Sequence, residues 1–114
     1  MSDCIFCKIA AGEIGKLIYE DQNAVAFDDL NPQAPIHFLV IPKKHIERLS
    51  DVYDGDDADL MGHLLTIANK IARDRGIADD GYRTVINCNE GAGQSVWHIH
   101  IHVLGGRKLS WPPG

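Results

Sequence analysis

Three histidines alternate with apolar residues near the end of the chain, in His98-Ile99-His100-Ile101-His102-Val103-Leu104. Neighbouring side chains of a strand face opposite ways, so His98, His100 and His102 share one face and Ile99, Ile101 and Val103 the other. A helix would scatter the imidazoles around its circumference. The pattern predicts a strand beginning at His98, anchored on a core by its apolar face and presenting imidazoles ~6.6 Å apart at ~3.3 Å per residue. Thr, Lys or Glu would serve solvent equally well, so histidine at all three places points to chemistry. The outer two would lie about 13 Å apart, which rules out one metal held by all three and leaves at most a neighbouring pair to share an ion, because zinc–imidazole bonds are about 2.0–2.1 Å long.

A chain of 114 residues, 45% hydrophobic, suffices for one core and one domain over residues 1–114. A net charge of −5 argues against broad nucleic-acid binding. It leaves room for a small anion at a local basic cluster such as Lys43, Lys44, His45 and Arg48, or Arg107 with Lys108. No apolar run approaches the ~20 residues of a membrane span. The first residues lack a basic stretch followed by an apolar one, so no signal peptide and no membrane attachment are expected, and the cytoplasm is the expected location. Cys4, Cys7 and Cys88 are an odd number of cysteines, expected there as thiols or metal ligands.

The periodicities predict an α+β domain with an antiparallel sheet of about five strands, one short helix and one long helix. Residues 4–11 read as the short helix, with Asp3 as N-cap and an apolar stripe of Ile5, Phe6 and Ile9. Residues 17–20 and 24–28 read as a hairpin, 36–41 as a strand stopped by Pro42, and 81–88 as another strand. Residues 58–75 carry apolar side chains at three- and four-residue spacings and read as the long helix. A glycine-rich connection, Glu90 to Ser95, leads into the histidine strand.

Two readings remain for nucleophilic chemistry. A serine elbow at Ser95 requires Gly-x-Ser-x-Gly, and Gly93-Gln94-Ser95-Val96-Trp97 fails at its last position. A histidine nucleophile fits better. Neutral imidazole is abundant at pH 7, and attack on phosphorus divides one hard displacement into two easier ones. The middle residue, His100, has a polar neighbour on each side. The preceding loop can bring Ser95 and backbone N–H groups toward a phosphate.

The histidine stretch resembles the His-φ-His-φ-His-φ-φ signature of the histidine triad (HIT) superfamily. Four further stretches resemble its Hint branch of nucleotide-binding proteins: Phe27 to Pro35, His37 to His45, Asn87 to Gly91, and Gly93 to Trp97. So does the ending, from Leu104-Gly105-Gly106-Arg107 to Trp111-Pro112-Pro113-Gly114. The likeness implies a HIT-like fold whose sheet continues across a homodimer. It implies a site for a purine nucleoside monophosphate, AMP or GMP, and hydrolysis of phosphorus–nitrogen bonds in nucleoside phosphoramidates. By the same likeness His100 becomes nucleotidylated, and His102 and Ser95 serve the phosphate and leaving group. Asn89, Gln94 and Val96 lie near the phosphate, Asp29 takes the ribose hydroxyls, and Phe27 and Leu30 line the nucleoside pocket. Some members resembling this chain hold a structural zinc with a Cys-x-x-Cys pair and two histidines, here Cys4, Cys7, His45 and His98.

The loop from Asn89 to Gln94 is shorter than in animal Hint proteins, so leaving-group preference is expected to differ. No phosphate loop of the Gly-x-x-x-x-Gly-Lys-[Ser/Thr] type is present, and turnover without a catalytic metal is expected. Two alternatives stand beside the phosphoramidase. One is a dinucleoside polyphosphate hydrolase of the Fhit type. The other is a nucleotide-binding adaptor with incidental activity.

Overall fold

The computed structural model describes residues 3–114. It is α+β, with a five-stranded antiparallel sheet and one long helix. The strands are β1 (Tyr19–Glu20), β2 (Ala24–Asp28), β3 (Ile36–Pro42), β4 (Tyr82–Val85) and β5 (Ile101–Gly105), in the spatial order β1-β2-β3-β5-β4. The short helix is α1 (Ile5–Ala10) and the long one α2 (Asp56–Asp74). Among the described residues no helix is long and apolar enough to cross a membrane.

Alternation sorts the sheet into two faces. Ala24, Ala26, Phe38, Val40, Ile101 and Val103 join Met61, Leu64, Ile67, Ala68 and Ile71 of α2 in the larger core. The helix starts two residues earlier than its apolar pattern predicts. Gly55 turns the chain at φ 69°, and Asp56, Asp57 and Asp59 then sit in the first turn, where the helix dipole favours them. On the opposite face Val25, Phe27, Leu39 and Ile41 pack against Phe6 and Ala10 of α1. The register pairs Phe27 with Leu39 and Leu39 with His102, which sets all three on the α1 face. The functional histidines therefore belong to the smaller core, under the short helix.

Several boundaries differ from the sequence reading. Pro42 does not stop β3 but closes it, opposite Ala24. The N-cap of α1 is Cys4, whose sulfur accepts from the Cys7 N–H at 3.4 Å, and not Asp3. The strand bearing the histidines begins at Ile101 and not at His98. Its partner runs out: Pro42 has no N–H to offer, and the Ile99 N–H bonds the Ile46 carbonyl at 2.7 Å instead. The alternation of faces persists through this lead-in, with Ile99 in the larger core beside Ile101. Because β5 begins late, β4 ends at Val85 opposite His102 and leaves residues 86–88 outside the ladder.

A carboxylate holds the β1–β2 turn. Asp21 accepts from the Asn23 and Ala24 N–H groups at 2.8 Å each, from the Tyr19 hydroxyl at 2.8 Å and from His63 of α2 at 2.6 Å. Burial alone would raise its pKa, but these donors together outweigh burial and lower it to about 2. A depressed carboxylate stabilises the fold above its ordinary pKa and loses that contribution as pH falls through the folded value. Asp21→Asn should cost about 2 kcal/mol at pH 7. In urea titrations the deficit relative to the parent should shrink steadily between about pH 4 and pH 2. A deficit independent of pH would show that the carboxylate charge is not what holds the turn.

Candidate active site

The lead-in to β5 gives each histidine a separate environment. His98 is fully buried. Its Nε2–H donates to the Pro42 carbonyl at 2.8 Å, which leaves Nδ1 as a lone pair. That lone pair lies 3.4 Å from the Cys4 sulfur and 3.5 Å from the Cys7 sulfur. The Cys7 sulfur is also 3.2 Å from Nδ1 of His45. One ligand atom from each of Cys4, Cys7, His45 and His98 thus falls within 4.8 Å of every other. A tetrahedral zinc with ~2.3 Å sulfur and ~2.0–2.1 Å nitrogen bonds would set neighbouring S and N ligands about 3.5 Å apart, so the donor set fits that ion. The Pro42 carbonyl fixes the tautomer of His98 that a metal ligand requires.

His100 lies two residues on and is also buried. Its Nδ1–H donates to the carbonyl of His98 at 2.8 Å. A carbonyl only accepts, so in neutral imidazole the free lone pair is on Nε2. The Phe6 ring stands edge-on at 5.1 Å between centroids. Burial pushes the His100 pKa down, against the opposing pull of the His98 carbonyl and Asp29, so the ring is neutral at pH 7.

His102 is held by a residue that the sequence reading passed over. The Gln33 N–H donates to Nδ1 of His37 at 3.0 Å, so the proton of His37 is on Nε2. That Nε2 is 3.0 Å from Nδ1 of His102 and 3.4 Å from Asp29. His102 therefore accepts at Nδ1 and keeps its own proton on Nε2. Burial, then the neighbouring His100 and His37, lower its pKa to about 4, while Asp29 pulls the other way. The rings of His100 and His102 are 5.0 Å apart, closer than an extended strand predicts, because the side chains lean together. The signal for His37 was present: a lone polar residue inside the apolar run 36–41. Its pairing is diagonal across strands, and only the register Leu39↔His102 reveals it.

The other predicted residues fall into three places. Phe27, Asp29 and Leu30 line a cavity of about 530 Å³. The structure adds Ile5, Phe6 and Ile9 of α1 to that lining, together with Leu39. Asp29 accepts from the Asn31 N–H at 2.8 Å, while Leu30 is fully exposed. Ser95 and Val96 line a separate hollow of about 420 Å³ with Cys4, His45 and Trp97, and Ile5 borders both spaces. Asn89 adopts a left-handed φ of 70° and accepts from Arg48 at 2.8 Å. The buried Gln94 side chain is engaged by backbone groups: it accepts from the Asn89 N–H and donates to the carbonyls of Glu47 and Val96. It shapes the turn that presents Asn89 and Ser95.

This fold, with its row of histidines, has relatives. The family model described as HIT domain matches residues 13–109, and the chain belongs to that family. An uncharacterized HIT-like protein of Synechocystis sp. is 51% identical over 98% of this chain and 97% of its own length. The crystal structure of a HIT family hydrolase from Legionella pneumophila superposes with a TM-score of 0.95 at 53% identity, covering 98% of this chain and all of that one. A zinc-bound histidine triad family protein from Mycobacterium smegmatis has a TM-score of 0.79 at 34% identity, covering 96% of this chain and 81% of that one.

Proposed function

We propose that this chain is a single-domain hydrolase of the Hint-like branch. It would cleave the phosphorus–nitrogen bond of purine nucleoside phosphoramidates through a nucleotidyl-His100 intermediate. The observation that carries this reading is the Nδ1 bond of His100 to the His98 carbonyl, which leaves Nε2 as the nucleophile. The nucleoside occupies the apolar cavity. Asp29 accepts the two ribose hydroxyls, a match for a carboxylate with four lone-pair sites. Nε2 of His100 bonds to the α-phosphorus and the phosphorus–nitrogen bond breaks, the amine leaving with a proton from solvent near Ser95. The imidazole becomes cationic, and the His98 carbonyl stabilises its Nδ1–H. His102, oriented by His37 and Asp29, donates Nε2–H to a phosphoryl oxygen. Water then displaces His100 and releases the monophosphate.

Cys4, Cys7, His45 and His98 would hold a structural zinc. A closed set of four ligands supplies folding energy and no chemistry. The relative from Mycobacterium smegmatis supports the assignment. A second copy of the chain would pair along β4, the edge strand next to β5, and continue the sheet. A cytoplasmic location belongs to the same reading.

The test is a brief incubation with a guanosine or adenosine phosphoramidate, acid-free quenching and intact-mass measurement. A mass increase of one nucleotidyl group, located on the peptide containing His100, is expected. Nucleotide binding without adduct or turnover would mark an adaptor. Turnover confined to dinucleoside polyphosphates would mark the Fhit-type reading.

A further inference from the structure

The cavity described above is lined by apolar side chains and by four charged residues, Lys16, Asp28, Asp29 and Arg75. Asp29 has its role in the proposed function. Asp28 and Arg75 have none so far. Asp28 is the last residue of β2 and Arg75 caps the C-terminal end of α2. Their side chains meet as a fork, Nη1 to Oδ1 at 2.5 Å and Nη2 to Oδ2 at 3.2 Å. The guanidinium also lies 5.7 Å from the centre of the Phe38 ring. The side chains are 28% and 53% exposed, and a pair so open to water contributes little to stability. Its place in the lining of the cavity asks for another explanation.

The fork consumes two of five guanidinium N–H groups and two of about four carboxylate lone-pair sites. What remains is a donor set beside an acceptor set, each oriented by the fork. We propose that the Asp28–Arg75 pair reads the edge of the base in the cavity and selects guanine over adenine. The proposal rests on the cavity being a nucleoside site. Guanine carries O6, N1–H and the N2 amino group along one edge, an acceptor followed by two donors. Arg75 donates to O6 while Asp28 accepts from N1–H and N2–H. Adenine offers only one donor, and its N1 lone pair would face the carboxylate.

The experiment is calorimetric titration with GMP and with AMP, alongside thermal melts. Three proteins are compared: the parent, Asp28→Ala, and a charge-swapped variant carrying Asp28→Arg with Arg75→Asp. The parent should bind GMP about fivefold or more tightly than AMP, the lower end of what a bidentate base contact discriminates. Asp28→Ala should bring the two affinities within about twofold. All three should melt at closely similar temperatures, and the swapped variant should lack the preference. Equal affinities in the parent overturn the base-reading role and leave the proposed function standing. So does a preference that survives Asp28→Ala or the swap. Failure of both nucleotides to bind overturns the nucleoside site itself.

Discussion

Replacing His100 by alanine will lower kcat on a nucleoside phosphoramidate by at least about a thousandfold, and no nucleotidyl adduct will form. The size of the loss follows from what the residue does. Removing a side chain that only helps an attack leaves an alternative, whereas removing the attacking atom leaves water. His102 cannot substitute. Its lone pair on Nδ1 is taken by His37 and its Nε2 carries a proton. His98 cannot substitute either, because its Nδ1 faces two cysteines and its Nε2 donates to a carbonyl. Alanine would also leave a void in a buried place, so His100→Asn is the better companion. Its amide can donate to the His98 carbonyl as Nδ1 does, preserving that local bond without a nucleophile. Both variants should lack the adduct in intact-mass spectra while GMP affinity stays within a few-fold of the parent. Adduct formation at the parent's rate in His100→Asn would displace His100 from the mechanism.

The second large effect lies at the cysteines. Cys7→Ser should reduce bound zinc from about one per chain to none and lower the melting temperature by on the order of 10 °C. Cys7 is the hub of its cluster, with the His45 and His98 nitrogens at 3.2 and 3.5 Å and its N–H on the Cys4 sulfur. Burial first, then the neighbouring Cys4, raise the Cys7 pKa, so the thiol stays protonated at pH 7 without a cation nearby. Four ligands from three separated segments would then be joined by one ion, and its binding free energy is folding free energy. Metal analysis of protein purified without added metal, with melts of both proteins, measures the effect. A parent free of zinc, melting with Cys7→Ser, would retire the assignment.

The two-faced alternation of residues 98–104 was readable from the sequence because burial on a sheet obeys a period of two whether or not a ladder continues. The start of the ladder was not readable. It depends on Pro42 and on the Ile46 carbonyl, both distant in the chain and near only after β3 has paired. The same holds for His37, whose partner is set by register. Ile5, Phe6 and Ile9 were legible as an apolar stripe, and that stripe predicts burial of α1 without saying that one side borders a cavity. Asp28 and Arg75 had no local signature, since an ion pair spanning 47 positions leaves no spacing to read. The cysteine–histidine set was accessible only by resemblance, because Cys-x-x-Cys alone says nothing about which histidines join it.

One consequence of α1 extends beyond either of its faces. Six residues long, it is too short to be stable alone, and its cap is a cysteine sulfur. The same turn supplies Cys4 and Cys7 to one cluster and Ile5, Phe6 and Ile9 to the wall of the cavity. On the proposed reading, any ordering of α1 would be shared by a metal in the cluster and a nucleoside in the cavity. Under linkage, each would then tighten the other by an equal factor. Zinc supply would then bear on how strongly this protein holds nucleotide, and nucleotide on how strongly it holds metal.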